Sequence, residues 1–140
     1  MDHKQHENLT AGLNDLLSFH LAEWRPGYAR LEVEPDDRHK NRQGGLHGGV
    51  TAALIDAATG YCGIFEPDPA RRRSNATVSL NINFVGRPKS RKLIAEAELD
   101  RAGRRLYFAS ARVTDDSSTL VATAEAVYVY VDKKTESTTK

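Results

Sequence analysis

The chain has 140 residues, of which 39% are hydrophobic and 28% are charged, and its formal net charge at pH 7 is +1. A chain of this length holds one domain around one core, and this composition excludes a disordered or fibrous protein. Because the net charge is close to zero, we expect neither a nucleic acid nor a membrane surface as a partner.

The cysteine content and the chain ends bear on the compartment. A single cysteine, Cys62, cannot form an intrachain disulfide and suits a reducing environment. The first ten residues, MDHKQHENLT, are too polar for a secretory signal, and the apolar stretches are interrupted by charge and glycine. We therefore expect a cytoplasmic protein with one domain over 1–140, frayed at 1–6 and 133–140.

The first half of the chain predicts two helices with one strand between them. Residues 7–19 carry leucines at helical spacing, which indicates a short amphipathic helix. Residues 27–35, GYARLEVEP, alternate apolar and charged side chains, as a half-buried strand does. After a polar connection, residues 48–61 are apolar on nearly all sides, which predicts a buried helix. The leucines of the first helix are Leu9, Leu13, Leu16 and Leu17.

The second half of the chain predicts an exposed loop followed by strands. Residues 65–75, FEPDPARRRSN, form the loop, and residues 77–84, TVSLNINF, alternate strictly. KLIAEAEL, LYFASARV and LVATAEAVYVYV follow with short turns between them, which predicts an antiparallel meander. The fold class is therefore α+β, with one sheet around one apolar helix. The strand at 77–84 would turn one face inward, formed by Val78, Leu80, Ile82 and Phe84.

A glycine-rich turn, GGLHGG, leads into the predicted buried helix. The first peptide N–H groups of a helix have no intrahelical partner and carry the positive end of its dipole. Gly48 and Gly49 have no side chains to block an approaching oxygen, so the turn could serve as an oxyanion hole. Alternatively, the glycines merely permit a tight turn.

Asp56 is the only charge in the predicted buried helix. A buried carboxylate is costly unless it is well satisfied or does chemical work. Since Asp56 lies about 12 Å along the helix from Gly48, it cannot act on a carbonyl held at Gly48 of its own chain. Two antiparallel copies of the helix across a symmetric dimer would bring them together. The alternative is a structural Asp56 that binds a neighbouring backbone group or an arginine.

The histidines offer no metal site. His47 could orient the turn, donate to a substrate or cap the helix, and we assign it a supporting role because a general base here would compete with Asp56. No zinc-ligand spacing and no phosphate-binding loop occur, so we expect no metal and no cofactor. The five histidines are scattered: His3, His6, His20, His39 and His47.

The segment NRQGGLHGGVTAALID, residues 41–56, resembles the active-site segment of hotdog-fold acyl-CoA thioesterases. The resemblance is to the PaaI-like and thioesterase superfamily member 2-like type, and the element order and the later NINFVGRP extend it over most of the chain. It implies a hotdog fold, in which an antiparallel sheet wraps around a central helix. It also implies hydrolysis of an acyl-CoA to free acid and CoA at composite sites of a homodimer, which could pair into a dimer of dimers.

The resemblance also implies roles for individual residues. Asp56 matches the carboxylate that acts as nucleophile or as general base for water, and Gly48 matches the residue whose N–H polarises the thioester carbonyl. Asn41 and His47 match residues that support the turn and the attacking water or carbonyl. Thr77 falls where relatives carry a serine or threonine, on the same chain as the carboxylate.

Coenzyme A carries phosphates, which arginine binds well through its planar fork of donors. The candidates preferred over Arg71, Arg72 and Arg73 are Arg87, Lys89, Arg91, Lys92, Arg104 and Arg105, although each could equally be a solvated surface charge. The acyl pocket is expected near Tyr61, Cys62 and Phe65. Two other functions stay open: an acyl-CoA-binding module without activity, and a hotdog hydratase or dehydratase, which the HGGV sequence disfavours.

Overall fold

The computed structural model describes residues 10–132, so the ends predicted to be frayed, 1–6 and 133–140, lie outside the described residues. Within the described residues, two α-helices, one short 3-10 helix and six strands follow one another. In chain order they are α1 (Leu13–Leu16), β1 (His20–Arg25), β2 (Tyr28–Val33), the 3-10 helix (Asp37–His39), α2 (Gly48–Cys62), β3 (Ser74–Phe84), β4 (Leu93–Ala102), β5 (Leu106–Asp115) and β6 (Leu120–Val131).

The six strands form one antiparallel sheet in the order β1-β2-β4-β5-β6-β3. Helix α2 contacts all six strands, and it connects β2 to β3 at the far edge of the sheet. The meander β4-β5-β6 occupies the middle of the sheet, as predicted. One sheet that covers one long helix confirms the α+β fold class.

Small side chains on the sheet allow α2 to lie close to it. The helix buries Leu54, Ile55 and Ala58 completely. Opposite them, the inward positions of the three central strands are largely alanine, which lets the backbones approach without voids. These buried alanines are Ala95, Ala97, Ala109, Ala111, Ala122, Ala124 and Ala126.

The predicted helix over 7–19 is much shorter within the described residues. Only Leu13–Leu16 is helical, and both Leu13 and Leu16 are exposed. The chain turns at Ser18, which has a φ of +59°, and then continues as β1. Leu17 packs against the core beyond the helix, and Leu9 lies outside the described residues.

The sequence pattern does not predict strand β1, because a β-bulge disrupts the alternation of its buried and exposed side chains. The pairing with β2 shifts between Leu21 and Glu23. Both buried side chains of β1, Leu21 and Trp24, therefore face the core although they are three residues apart. Spacing of three is typical of a helix rather than a strand, so the pattern gave no strand signal.

A second bulge, in β3, changes which side chains of this strand face the helix. The pairing with β6 shifts between Thr77 and Ser79, so Thr77 lies opposite Tyr128 and Leu80 lies opposite Ala126. Since Tyr128 and Ala126 are buried against α2, Thr77 and Leu80 share the helix-facing side. Val78, predicted to face inward, is instead 57% exposed. The strand also begins at Ser74, earlier than predicted.

Candidate active site

The loop before α2 is shaped by Asn41. Its side-chain Oδ1 accepts hydrogen bonds from the backbone N–H of Gln43 (2.9 Å) and of Gly45 (3.1 Å). Its backbone N–H donates to the Gly45 carbonyl at 2.7 Å, and Gly44 takes a left-handed φ of +85° to close the turn. Asn41 therefore fixes the path of the chain that enters α2.

His47 caps the N-terminus of α2. Its Nδ1 accepts the backbone N–H of Gly49 at 2.8 Å, and its own backbone N–H donates to the His39 carbonyl. A neutral imidazole that accepts at Nδ1 carries its proton on Nε2, so the exposed ring presents one further donor. Of the three roles open for His47, the structure shows capping directly.

Gly48 is the first residue of α2, and its backbone N–H makes no hydrogen bond within residues 10–132. The residue opens onto a cavity of about 460 Å³, and a Cβ at this position would lie 3.5 Å from the Phe84 ring. A free donor at the positive end of a helix suits an anionic oxygen. The cavity is lined chiefly by Asn41, Gln43, Gly45, Gly48, Phe84 and Arg87.

Asp56 is partly exposed rather than buried, because the sheet covers only one side of α2. Its Oδ1 accepts the hydroxyl of Thr77 and the hydroxyl of Tyr128, each at 2.8 Å. The alternative for Asp56 is a purely structural side chain bound to a backbone group or an arginine. Within residues 10–132, neither a backbone N–H nor an arginine binds its carboxylate. The second oxygen, Oδ2, has no hydrogen-bond partner in the same part of the chain.

The carboxylate faces a different cavity from Gly48. This second cavity measures about 350 Å³ and is lined by Asp56, Thr77, Tyr128, Tyr61, Ile64 and Asn75, among others. It shares no lining residue with the Gly48 cavity. Each chain thus groups Asn41, His47 and Gly48 at one place, and Asp56 and Thr77 at another, as the predicted separation along the helix requires.

Tyr128 was not identified from the sequence. It lies on β6 with its ring 2% exposed and stacked on Tyr107 at 4.9 Å between ring centres. Burial and the nearby Asp56 charge raise the pKa of its hydroxyl well above the usual range, so Tyr128 remains a hydrogen-bond donor. The alternation of β6 places Tyr128 on the same face as the buried Ala124 and Ala126, and this was the available signal.

The basic candidates fall into two separate groups. Arg87 lines the Gly48 cavity, and the segment after it is held by Asp115, whose Oδ2 accepts the backbone N–H of Lys89 and of Ser90. Arg104 and Arg105 lie on the β4-β5 hairpin and line a third cavity. The remaining candidates are Arg91, which is exposed, and Lys92, which is half-buried near Glu32.

Arg73, which the sequence analysis ranked low, joins the hairpin group. Its guanidinium lies 3.6 Å from the centre of the Tyr130 ring and donates to the Arg104 carbonyl. Arg72 is occupied elsewhere, since it binds the Glu66 carbonyl and lies over Trp24. The structure therefore separates the neighbouring arginines of this loop, which sequence alone treats as equivalent.

Of the three residues expected near an acyl pocket, one lines the Asp56 cavity and two lie elsewhere. Tyr61 lines the Asp56 cavity, but Cys62 is 1% exposed in the core, where burial raises the pKa of its thiol to about 12. Phe65 packs edge-on against Trp24 instead. Ala57, Gly60, Ile64 and Ala76 also line this cavity.

One of the histidines, His39, lies in the core. His39 is fully buried and bonded to the Leu17 carbonyl at 2.7 Å and to the backbone N–H of Asp36. Among residues 10–132, no three His, Cys, Asp or Glu side chains are grouped closely enough to hold a metal ion. No helix in that range is long and apolar enough to cross a membrane.

Comparison with known sequences identifies the family. Residues 43–122 match the profile of the Thioesterase superfamily. A Pseudomonas aeruginosa protein provisionally named an esterase is 34% identical over 94 residues, covering 66% of this chain and 68% of the relative. The mouse protein acyl-coenzyme A thioesterase 13 is 27% identical over 88 residues, covering 62% of this chain and 61% of the relative.

Solved structures show the same architecture. The E. coli PaaI protein from the phenylacetic acid degradation operon superposes with a TM-score of 0.77 at 17% identity, covering 92% of this chain and 89% of that chain. A conserved Pseudomonas aeruginosa protein gives 0.78 at 21% identity, covering 94% and 100%. The predicted hotdog fold is confirmed, and the chain belongs to the thioesterase superfamily.

Proposed function

We propose that this protein hydrolyses the thioester of an acyl-CoA to a free acid and CoA, at sites that two protomers share. The proposal rests on two groups of α2 that have hydrogen-bonding capacity left for a ligand. The first residue of the helix offers the free N–H of Gly48, and Asp56, near the middle of the helix, offers a carboxylate with one oxygen held and one open to a cavity. Neither half can act alone over a separation of about 12 Å.

Strand β3 offers the means of bringing two protomers together. It is 11 residues long and lies at the edge of the sheet, where one side pairs with β6 and the other has no neighbouring strand from residues 10–132. Val78, Phe84 and the following Val85 are each more than half exposed. A long apolar edge strand is a template for pairing with another chain, so we propose a homodimer through β3.

A symmetric antiparallel β3 pair would assemble the site. Thr77 and Asp56 lie near the beginning of β3, while Phe84, at its end, lies beside Gly48. Antiparallel pairing of two copies across a two-fold axis sets the beginning of each strand against the end of the other. Asp56 and Thr77 of one protomer would then face Gly48 of its partner, which forms two composite sites.

The chemistry assigned to this site follows from the charges. The Gly48 N–H receives the thioester oxygen, which gains negative charge as the carbonyl carbon is attacked. Asp56 either takes a proton from the attacking water or attacks the carbon itself to give an anhydride that water then opens. In both routes the carbon–sulfur bond breaks, and the CoA thiolate leaves and is protonated. One donor of this kind contributes about 3–4 kcal/mol to transition-state stability.

The two basic groups would bind the CoA phosphates. The hairpin arginines lie at the Asp56 end of the sheet, because Arg105 bonds Tyr130 on β6, close to Tyr128. Arg87 lies at the Gly48 end. In the proposed dimer these ends meet, so Arg87 of one protomer and Arg104 and Arg105 of its partner flank one site. Lys89 and Arg91 extend the first group, and Arg73 extends the second.

The test is thiol release from a panel of aryl-, short-chain and long-chain acyl-CoAs, with Asp56→Asn beside the wild type. We expect release by the wild type and loss of most release in the variant, which retains the dimer because the side-chain shape is kept. Binding without release would favour an acyl-CoA-binding module instead. Addition of water to an enoyl-CoA without thiol release would favour a hydratase.

The composite site has its own test. Protomers carrying Asp56→Ala are mixed with protomers carrying Gly48→Pro under conditions that allow subunit exchange. Each mixed dimer would regain one complete site out of two. Since half of the dimers in an equal mixture are mixed, the mixture should reach about a quarter of the wild-type activity. A mixture that never exceeds either parent would show that each site is built within one chain.

A further inference from the structure

The hydroxyl of Tyr128 faces three acceptors but has one proton to donate. It lies 2.8 Å from Asp56 Oδ1, 2.6 Å from the backbone carbonyl oxygen of Asp56, and 2.9 Å from the Thr59 hydroxyl. Thr59 Oγ1 lies 2.8 Å from the Ile55 carbonyl, the shortest acceptor around it, so Thr59 commits its own proton to the helix. Thr59 therefore stays available only as an acceptor, and the two nearest acceptors of the phenol proton are the Asp56 carbonyl oxygen at 2.6 Å and Asp56 Oδ1 at 2.8 Å.

The charge of Asp56 decides which oxygen receives this proton. A hydrogen bond to an ionised carboxylate is about twice as strong as one between neutral groups, and more so away from water. While Asp56 is ionised, Tyr128 donates to Oδ1 together with Thr77. When the carboxyl is protonated or acylated, the O–H can turn to the Asp56 carbonyl, and no heavy atom needs to move.

We propose that Tyr128 is a positioning residue for Asp56. Together with Thr77, it holds Oδ1 of the ionised side chain so that Oδ2 is the oxygen that meets water or the thioester. When the charge is lost during turnover, Tyr128 releases Oδ1 and bonds the helix backbone instead. This inference rests on the proposed function, since it assigns Asp56 as the reacting carboxylate.

The surroundings of Tyr128 keep its hydroxyl in place. Its ring stacks on Tyr107 with an interplanar angle of 3°. Tyr107 reaches the same helix, and its hydroxyl donates to the carbonyls of Thr59 (2.9 Å) and Gly60 (3.1 Å) without touching Asp56. Tyr107→Phe is therefore a matched control, because it removes a buried hydroxyl that binds α2 but not the carboxylate.

The experiment compares kcat and KM of Tyr128→Phe and Tyr107→Phe on the best substrate of the panel. We expect Tyr128→Phe to lower kcat by about 10- to 100-fold with KM unchanged within about twofold. Tyr107→Phe should change kcat by less than about threefold, even if it destabilises the fold as much. Equal losses of kcat in the two variants would overturn the proposal.

A double-mutant cycle separates action through Asp56 from general disruption. Adding Tyr128→Phe to Asp56→Asn should leave the residual single-turnover release unchanged, since the carboxylate on which Tyr128 acts is already gone. A further loss equal to that in the wild-type background would show that Tyr128 acts elsewhere. If Asp56→Asn alone retains full activity, the proposed function fails and not merely the role of Tyr128.

A spectroscopic measurement covers the case in which Tyr128→Phe does not fold. The intensity ratio of the tyrosine doublet in ultraviolet resonance Raman reports whether a phenol is a strong donor. Asp56→Asn should shift this ratio relative to the wild type, because the charged acceptor of one buried tyrosine is removed. Identical spectra for the two proteins would contradict the proposal.

Discussion

At position 48 a backbone N–H can be deleted by mutation without loss of a helix hydrogen bond. Gly48 is the first residue of α2, where the N–H has no intrahelical partner and proline is well tolerated. The preceding residue, His47, has φ −69° and ψ 126°, which is the extended conformation that a following proline requires. The proposed oxyanion donor can therefore be removed while the helix is kept.

We expect Gly48→Pro to lower kcat by about 100- to 1000-fold, the usual effect of losing one oxyanion donor. Its thermal unfolding midpoint should stay close to that of the wild type. The control is Gly48→Ala, which keeps the N–H and places its Cβ in ordinary contact, 3.5 Å from the Phe84 ring. Equal losses in the alanine and proline variants would indicate a blocked cavity rather than a missing donor.

The same residues show how far sequence reasoning reaches at this scale. Gly48 and Asp56 could be singled out because one lies in a glycine turn before a helix and the other is the only charge in that apolar helix, whereas Asn41 and Thr77 came from the family resemblance alone. Tyr128 could not be singled out, since an inward tyrosine on a strand is usually a core residue. Its contact with Asp56 joins residues 72 apart in the sequence.

At the scale of elements, Asp115 ties the end of β5 to the segment that carries Arg87 and Lys89. Its Oδ2 accepts the N–H groups of Lys89 and Ser90, and its Oδ1 accepts those of Ser117 and Thr119 and the Ser117 hydroxyl. Burial alone would raise the pKa of this carboxyl, but these donors outweigh it and hold the pKa well below its ordinary value of 3.8.

A carboxyl with a lowered native pKa stabilises the fold above its unfolded pKa, and this contribution is lost as the pH falls toward the native value. We expect Asp115→Asn to lower the unfolding midpoint at pH 7 by roughly 5–10 °C. The difference between wild type and variant should narrow below about pH 4, where Asp115 takes up a proton in the unfolded chain while it stays ionised in the folded protein. Thermal unfolding of the two proteins from pH 7 to pH 3 measures the shift of the midpoint and its pH dependence. A difference in midpoint that stays constant with pH would contradict the stabilising role of the ionised Asp115.

The junction of α2 with β5 predicts opposite effects at two nearby glycines. A Cβ at Gly63 would collide with the buried Tyr107 ring, whereas one at Gly60 would lie at an ordinary 3.6 Å from the Tyr128 hydroxyl. Gly63→Ala should therefore destabilise the fold by about 1–3 kcal/mol. Gly60→Ala, within the helix, should stabilise it by about 0.5–1 kcal/mol. Urea denaturation of both variants checks the signs; a stabilised Gly63→Ala would contradict the packing at this junction.

The two strands that the sequence analysis misread share one cause. A bulge in β1 spaces its buried side chains by three, and a bulge in β3 moves Val78 to the outer face. A bulge adds one residue without changing the composition, so it breaks the alternation by which a strand is recognised. The strands β4, β5 and β6 were found because short turns and long alternating runs define them, despite the further bulges within them.

At the scale of the whole molecule, the proposed dimer can be disrupted at one surface residue. Val78 lies near the middle of β3, so in a symmetric antiparallel pair it would come close to its own copy. Val78→Lys would place two like charges together, and we expect it to weaken dimerisation at least tenfold and to lower activity in parallel. Sedimentation velocity over a dilution series measures the dimer.

The control for this variant is Leu13→Lys, because Leu13 is as exposed as Val78, at 57%, but lies on α1 and not on β3. Its dimerisation and activity should match the wild type. Loss of the dimer in both variants would point to a general effect of added charge. A Val78→Lys protein that stays dimeric and active would rule out pairing through β3.

The distance between Gly48 and Asp56 along α2 has a consequence for the behaviour of the protein in a cell. If each site needs half of its groups from a second chain, a lone protomer has no turnover at all. Below the dissociation constant of the dimer, the rate would then grow with the square of the protein concentration. The activity per protein molecule would therefore fall as the protein concentration falls, and the protein would be nearly inactive at low concentration.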